Sequence, residues 1–269
     1  MPSPLPAAEA DAIRFQYELE RSLARKLREA PAVERPRLYR ELYAELFRSL
    51  PGLARKDAET RERSIRHQVA FLRPLVRGRR GFLDIGCGDG ALAAAVAGLL
   101  PEVCALDVVP PADGPKGYRF LAFDGRTIPL PDAAVDVAHS SQVLEHVHPG
   151  DALPQLREVH RVLRPRGLLI CTTPNRLSGP HDVSRFFDDE PTGLHLHEYT
   201  VGEAASLFRE AGFRCRALFP LRGYRTLPVP VFRSVEGMLL RLPRGLRKLL
   251  AHGVLRRFVH MIRLVAVRD

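Results

Sequence analysis

Tryptophan is absent from the 269-residue chain, and only four of its 41 basic residues are lysine: Lys26, Lys56, Lys116 and Lys248. With no indole and 7% aromatic residues, the chain offers few platforms for stacking bases. An arginine bias of this kind arises in a GC-rich genome without selection for phosphate contacts. The formal net charge of +10 is therefore weak ground for a nucleic-acid partner, and none is expected. The four cysteines, Cys87, Cys104, Cys171 and Cys215, stand far apart with no CxxC pair. That spacing reads as reduced core thiols. The apolar run from Ala91 to Leu100 is too short to cross a bilayer. The first residues lack a basic segment followed by an apolar one, so a cytoplasmic protein is expected.

The 45% of hydrophobic residues suffice for a large folded core. Ile13, Tyr17, Leu23 and Leu27, then Leu38, Leu42, Leu46 and Phe47, then Ile65, Val69, Leu72 and Val76 recur at helical spacing amid charge. Residues 1–79 are thus expected to be a helical extension or lid, too small to stand alone and packed on the rest of the chain.

From Gly81 the pattern changes to short apolar runs alternating with helical ones. FLDIG, VCALDV, YRFLAF, VDVAHS, LLICTT, RCRALFPL and HMIRLVAV read as strands, with helices beginning near Ala91, Ala152 and Gly202. Strands alternating with helices imply parallel βαβ units covered on both faces. Residues 80–269 then form one α/β domain, with 220–258 a basic helical insertion before the last strand.

The first strand runs into DIGCGDG. Glycine belongs where backbone must take left-handed angles or admit a ligand closely. The following helix turns its free N–H groups toward the loop, which suits an anionic group. Taken alone, Gly86-x-Gly88-x-x-Ala91 fits a nicotinamide dinucleotide fingerprint as well. Two acids extend the pattern. Asp107 ends the second strand about twenty residues on, where it can accept from ribose hydroxyls, and Asp124 ends the third.

DIGCGDG, ALDV, FDGRTIPLPDAAVDVAHSSQVLEHV and LREVHRVLRPRGLLICTTPN, in this order and spacing, resemble the class I S-adenosylmethionine-dependent methyltransferases over roughly Gly81 to Phe213. The resemblance implies a Rossmann-like, seven-stranded, mostly parallel sheet with helices on both faces and an antiparallel last strand. It implies S-adenosyl-L-methionine as cofactor. Gly86, Gly88 and Gly90, with Cys87 between them, would approach its methionine part, and Asp84 its ammonium end. Asp107 and the adjoining Val108 would take the ribose. Asp124 and Gly125 would meet the adenine, and Ser140 and Ser141 would lie near the cofactor. Methyl transfer from a sulfonium needs mainly alignment and a dry site, with a base where the acceptor must lose a proton.

Candidate bases fall in two runs. SSQVLEHVHP follows the fourth strand and offers His146; HDVSRFFDDEPTGLHLHEYT follows the fifth and offers His195 and His197, which point the same way if extended. These favour O-methylation of a small molecule. An RNA-modifying methyltransferase and a catalytically silent cofactor-binding protein are the alternatives. Quinone-biosynthesis O-methyltransferases and small-RNA 2′-O-methyltransferases carry Glu-x-x-Glu-His at the corresponding place and bind a metal there. Gln142 replaces the first Glu, so no metal is expected, although Glu145, His146 and a histidine of HLH would be the set to hold one. Between Arg222 and Arg257, leucines alternate with arginines. Such a helix either rests on anionic lipid or is a solvated face over an apolar stripe.

Overall fold

A computed structural model of the protein describes residues 7–52, 58–220, 224–253 and 255–269. Three helices come first: α1 (Ala7–Glu29), α2 (Arg35–Ser49) and α3 (Ala58–Val76). The sheet then begins, with β1 (Gly81–Ile85), α4 (Ala91–Ala97), β2 (Glu102–Asp107), β3 (Arg119–Ala122), β4 (Val135–Ser141), α5 (Pro149–Val162) and β5 (Leu163–Pro174). It ends with α6 (Val201–Glu210), β6 (Phe213–Pro220), β7 (Tyr224–Leu227), α7 (Val229–Leu240), α8 (Arg244–His252), α9 (Arg256–Val259) and β8 (Met261–Arg268).

The strands lie in the order β3-β2-β1-β4-β5-β8-β6-β7. The first five are mutually parallel, and β8 runs antiparallel between β5 and β6. Every residue of β1 is buried, as a central strand covered on both faces requires. One face carries the cluster around Leu83, Ile85, Leu106, Leu156 and Phe208, the other that around Leu72, Phe82, Val96 and Val137. Among the described residues, no helix is long and apolar enough to cross a membrane.

The sheet has eight strands where seven are expected. The eighth, β7, pairs antiparallel with β6 at the sheet edge, inside the stretch read as wholly helical. Four residues with an arginine among them carry too little alternation to register as a strand, as is usual for short edge strands. Helix α5 also starts three residues before Ala152: Pro149 opens it and the His148 side chain accepts from Gly150 N, a start that apolar periodicity does not reveal. The start near Gly202 corresponds to α6, fixed by a capping box between Thr200 and Glu203.

Helices α1 and α2 pack at the sheet's carboxyl edge, while the later half of α3 packs on a sheet face through Leu72 and Val76. Leu23, Leu27, Leu42 and Leu46 bury themselves with Leu194 and Leu196 of the loop after β5. Arg28 of α1 donates to the carbonyls of Pro191, Thr192, Gly193 and His195, which fixes the path of that loop. Arg35 grips the buried Asp151 carboxylate with two bonds of 2.7 and 2.9 Å. Tyr39 Oη donates to Asp151 and accepts from His148 N. Together these tie α2 to the start of α5.

Candidate active site

The turn from β1 to α4 holds three glycines at positive φ: Gly86 at 69°, Gly88 at 55° and Gly90 at 73°. A Cβ on Gly86 would stand 2.3 Å from Val143 Cγ2 and one on Gly90 would stand 1.8 Å from Tyr118 Oη, whereas one on Gly88 meets nothing within 4 Å. Two of the glycines are therefore demanded by packing, and Gly88 faces open space. The amides of Gly86 and Cys87 donate to Leu106 O. Gly88 N donates to Asp107 Oδ2 at 2.8 Å, and Val109 N to Asp107 Oδ1 at 3.2 Å. Asp107 thus joins the loop after β1 to the loop after β2. Burial raises its pKa, and the backbone donors only partly offset this.

Two cavities meet at Gly86, Asp107, Gln142 and Phe47. The larger, about 510 Å³, is lined by Asp84, Cys87, Gly88, Asp89, His139 and Ser141, with Arg61, Ser64 and Gln68 of α3 on its far side. The smaller, about 210 Å³, is lined by Val108, Phe123, Gly125, Val143 and His146, and by Tyr39 and Tyr43 of α2. Gln142, at the junction, has φ 59°, a left-handed conformation that costs a non-glycine residue about 1 kcal/mol or more.

Of the expected cofactor residues, Asp84, Gly86, Cys87, Gly88, Asp107, Val108, Gly125 and Ser141 line one cavity or the other. Gly90 sits beneath the loop against Tyr118. Asp124 lines neither cavity; its Oδ1 accepts from Arg126 N and Thr127 N, closing the turn that presents Gly125. Ser140 also lines neither, since strand alternation turns it away from the face shared by His139 and Ser141. His139 escapes the sequence reading. Its Nδ1 lies 2.9 Å from Asp84 Oδ1, with both side chains buried. β4 also carries Asp136, Ser140 and Ser141, so one more polar residue in that strand gave no distinct signal. Arg61 was hidden too, as one charge among many on α3; it pairs with Asp89 at 2.6 Å across the cleft mouth.

The histidines divide. His146, on the 3-10 turn Leu144–His146, lies with its Nδ1 3.0 Å from Leu194 O. A carbonyl can only accept, so that nitrogen carries the proton and Nε2 is left as the acceptor. Burial and the neighbouring His195 push its pKa down to about 3. His195 stands edge to face with it and holds Glu198 Oε1 at 2.7 Å through Nδ1. Burial opposes charge on His195, but Glu198, Glu145 and Asp182 outweigh it and raise the pKa. His197 goes elsewhere. Its ring packs on Tyr199 and burial lowers its pKa, so the two histidines of HLH do not converge.

Glu145, fully buried, accepts from Thr173 Oγ1 through Oε2, while its Oε1 has no partner. Burial lifts its pKa to about 7. One ligand atom each from Glu145, His146 and His195 lie within 4.8 Å of one another. Both imidazoles have Nδ1 engaged, which leaves Nε2 of each for a shared ligand, the usual arrangement behind a metal-binding histidine.

Residues 58–218 match the family model described as a methyltransferase domain. The chain belongs to the class I S-adenosylmethionine-dependent methyltransferases. It is 36% identical over 190 residues to a probable S-adenosylmethionine-dependent methyltransferase of Mycobacterium tuberculosis, covering 64% of this chain and 67% of that one. A similar protein of Mycolicibacterium smegmatis is 34% identical over 172 residues, and 63% of its length is spanned. The ubiquinone biosynthesis O-methyltransferase of Cereibacter sphaeroides is 37% identical over 149 residues, 48% of this chain and 58% of that one. Among solved structures, the fold matches the 1,6-didemethyltoxoflavin-N1-methyltransferase of Burkholderia thailandensis, whose structure holds S-adenosylhomocysteine. The TM-score is 0.53 at 19% identity, over 100% of this chain and 93% of that one.

The methyltransferase's cofactor is S-adenosylmethionine, and the cleft suits it. Gly88 is open toward the larger cavity, two carboxylates, Asp84 and Asp107, face it, and a guanidinium, Arg61, lies at its mouth.

Proposed function

We propose that this methyltransferase places a methyl group on an oxygen of a small hydroxylated acceptor, and that His146 receives the hydroxyl's hydrogen bond. The observation that carries this reading is that His146 lines the cavity joined to the cofactor cleft while its only protonated nitrogen is committed to Leu194 O. S-adenosylmethionine supplies an electrophilic methyl on a good leaving group. The chain's residues align the acceptor and dispose of one proton. Weak basicity suits that role: a hydroxyl gaining a methyl becomes a strongly acidic oxonium, which even an imidazole of pKa about 3 can relieve as the bond forms. Tyr39, Tyr43 and Phe47 would wall the acceptor from water, making α2 part of a lid. The 37% identity to a ubiquinone biosynthesis O-methyltransferase supports oxygen over nitrogen or carbon.

Methyl-labelled cofactor with a panel of phenols and alcohols tests the reading. The labelled carbon's chemical shift should report a methyl ether, and an N-methyl or C-methyl product would overturn it.

A second reading, transfer assisted by a divalent cation, is favoured by the unpartnered Oε1 of Glu145 beside two available imidazole nitrogens. The cation would lower the acceptor's hydroxyl pKa. Stoichiometric metal in the purified protein, lost in Glu145→Gln, would support it; metal-free protein with full turnover would remove it.

A further inference from the structure

The chain's positive charge is concentrated near its end. From residue 237 to 268 there is no Asp or Glu, and Arg241, Arg244, Arg247, Lys248, Arg256 and Arg257 fall within that span. The same segment carries exposed apolar side chains that the core does not use. Met238 is 61% and Leu249 70% exposed, with Leu240 and Leu246 also in solvent. On α8, Leu246 and Leu249 share one face at i,i+3 spacing, while Ala251 on another face is buried with Leu177, Leu239 and Val259. The helix is held to the fold from beneath, which leaves its leucine face outward. A solvated surface helix has no use for leucines there, and a site for nucleic acid would leave them idle. Cations flanking exposed leucines match a surface that is anionic in its outer layer and apolar just below.

We propose that α7 and α8 dock this methyltransferase on an anionic lipid bilayer, α8 lying in the interface with Leu246 and Leu249 in the acyl boundary. The location fits access to the cleft. Leu177, which anchors this cluster, follows the carboxyl end of β5, the sheet edge that carries the cavities. Lys248 pairs with Asp189 at 3.5 Å, in the loop that also exposes Phe186. The inference does not rest on which atom is methylated.

Sedimentation of the full chain with phosphatidylcholine vesicles, with and without phosphatidylglycerol, tests it. The chain should pellet with the anionic vesicles, weakly with neutral ones, and be released by salt. The double variant Leu246→Glu, Leu249→Glu should lose at least about tenfold in vesicle affinity, the scale of withdrawing two apolar side chains from the interface. Both positions are exposed, so its thermal midpoint and S-adenosylmethionine affinity should match the parent's. Absence of binding to anionic vesicles, or equal binding by the double variant, overturns the proposal. So does light scattering that finds a dimer dissolved by the same substitutions, which would make a second copy the occupant.

Discussion

The rings of His146 and His195 meet edge to face, centroids 4.8 Å apart, and their surroundings drive their protonation in opposite directions. His195, beside Glu198, binds a proton more tightly than a free imidazole. His146 resists one until about pH 3. Below pH 6.5 an unfolded chain takes up a proton that folded His146 refuses, so the unfolded state gains and the fold is weakened as acid is added. The slope is at most about 1.4 kcal/mol per pH unit. His146→Gln should flatten the decline in urea midpoint between pH 6.5 and pH 4. An unchanged decline would mean that the imidazole is wetter than the structure has it.

Glu145 works with the reverse sign. Its folded pKa, about 7, lies above the ordinary carboxyl value, so the fold retains a proton that the unfolded chain releases. Stability is lost as pH rises from about 4.5 through 7. Glu145→Gln, a neutral isostere, should unfold at higher urea than the parent at pH 8 and show little difference at pH 4.5. A bound cation would invert the pH 8 result by holding the carboxylate ionised, so the same measurement in metal and in chelator bears on the second reading.

Gly86 and Gly88 share a backbone conformation and differ in what lies beyond the missing side chain. Gly86→Ala must displace Val143, 2.3 Å away, on top of a left-handed backbone, and should cost about 2 to 4 kcal/mol of stability. Gly88→Ala meets open space and should cost about 1 to 2 kcal/mol, from the backbone alone. Its larger effect should fall on S-adenosylmethionine binding, measured by calorimetry, because the new methyl enters the cleft. If Gly88→Ala bound the cofactor as the parent does, the cofactor would lie elsewhere.

Asp107→Ala should weaken S-adenosylmethionine by about 1 to 3 kcal/mol, the scale of hydrogen bonds lost to a buried partner. It also frees the Gly88 amide, which Asp107 holds at 2.8 Å, so part of the loss is loop disorder. Asp107→Asn keeps an acceptor for that amide and should retain the loop while still losing affinity. Unchanged binding in a folded Asp107→Ala would assign the ribose to other groups.

The glycine turn and the acid ending β2 were legible because the backbone permits few residues there and the strand–loop–helix order fixes their distance. The N-terminal helices were legible through periodicity, though not what they cover. Arg28 reaching four carbonyls of the loop at 191–195, and Arg35 gripping Asp151, join positions more than a hundred residues apart, which local pattern does not encode. For the same reason the HLH histidines were paired on the assumption of an extended strand. The loop is instead pinned by α1, and its residues take separate directions. Asp124, expected at the adenine, closes its own turn through Oδ1, a role that sequence alone does not show. His139 and Arg61 each looked ordinary in sequence and gained meaning only from a partner on another element.

Arg61 gives the sharpest test of where the cofactor's amino-acid end lies. It lines the larger cavity, and its 2.6 Å bond to Asp89 crosses the cleft mouth, so a carboxylate entering there can take the place of Asp89. Both members of the ion pair are substantially exposed, which screens the pair and makes its exchange inexpensive. Arg61→Ala should weaken S-adenosylmethionine by about 1 kcal/mol. It should leave 5′-methylthioadenosine, which lacks the amino-acid end, unaffected. Equal weakening of both would show that Arg61 acts by holding the loop through Asp89, and Asp89→Asn would then reproduce the loss. If only the longer ligand responds, Asp89→Asn should instead leave it bound as well as the parent or better, because the carboxylate's competitor for the guanidinium is gone.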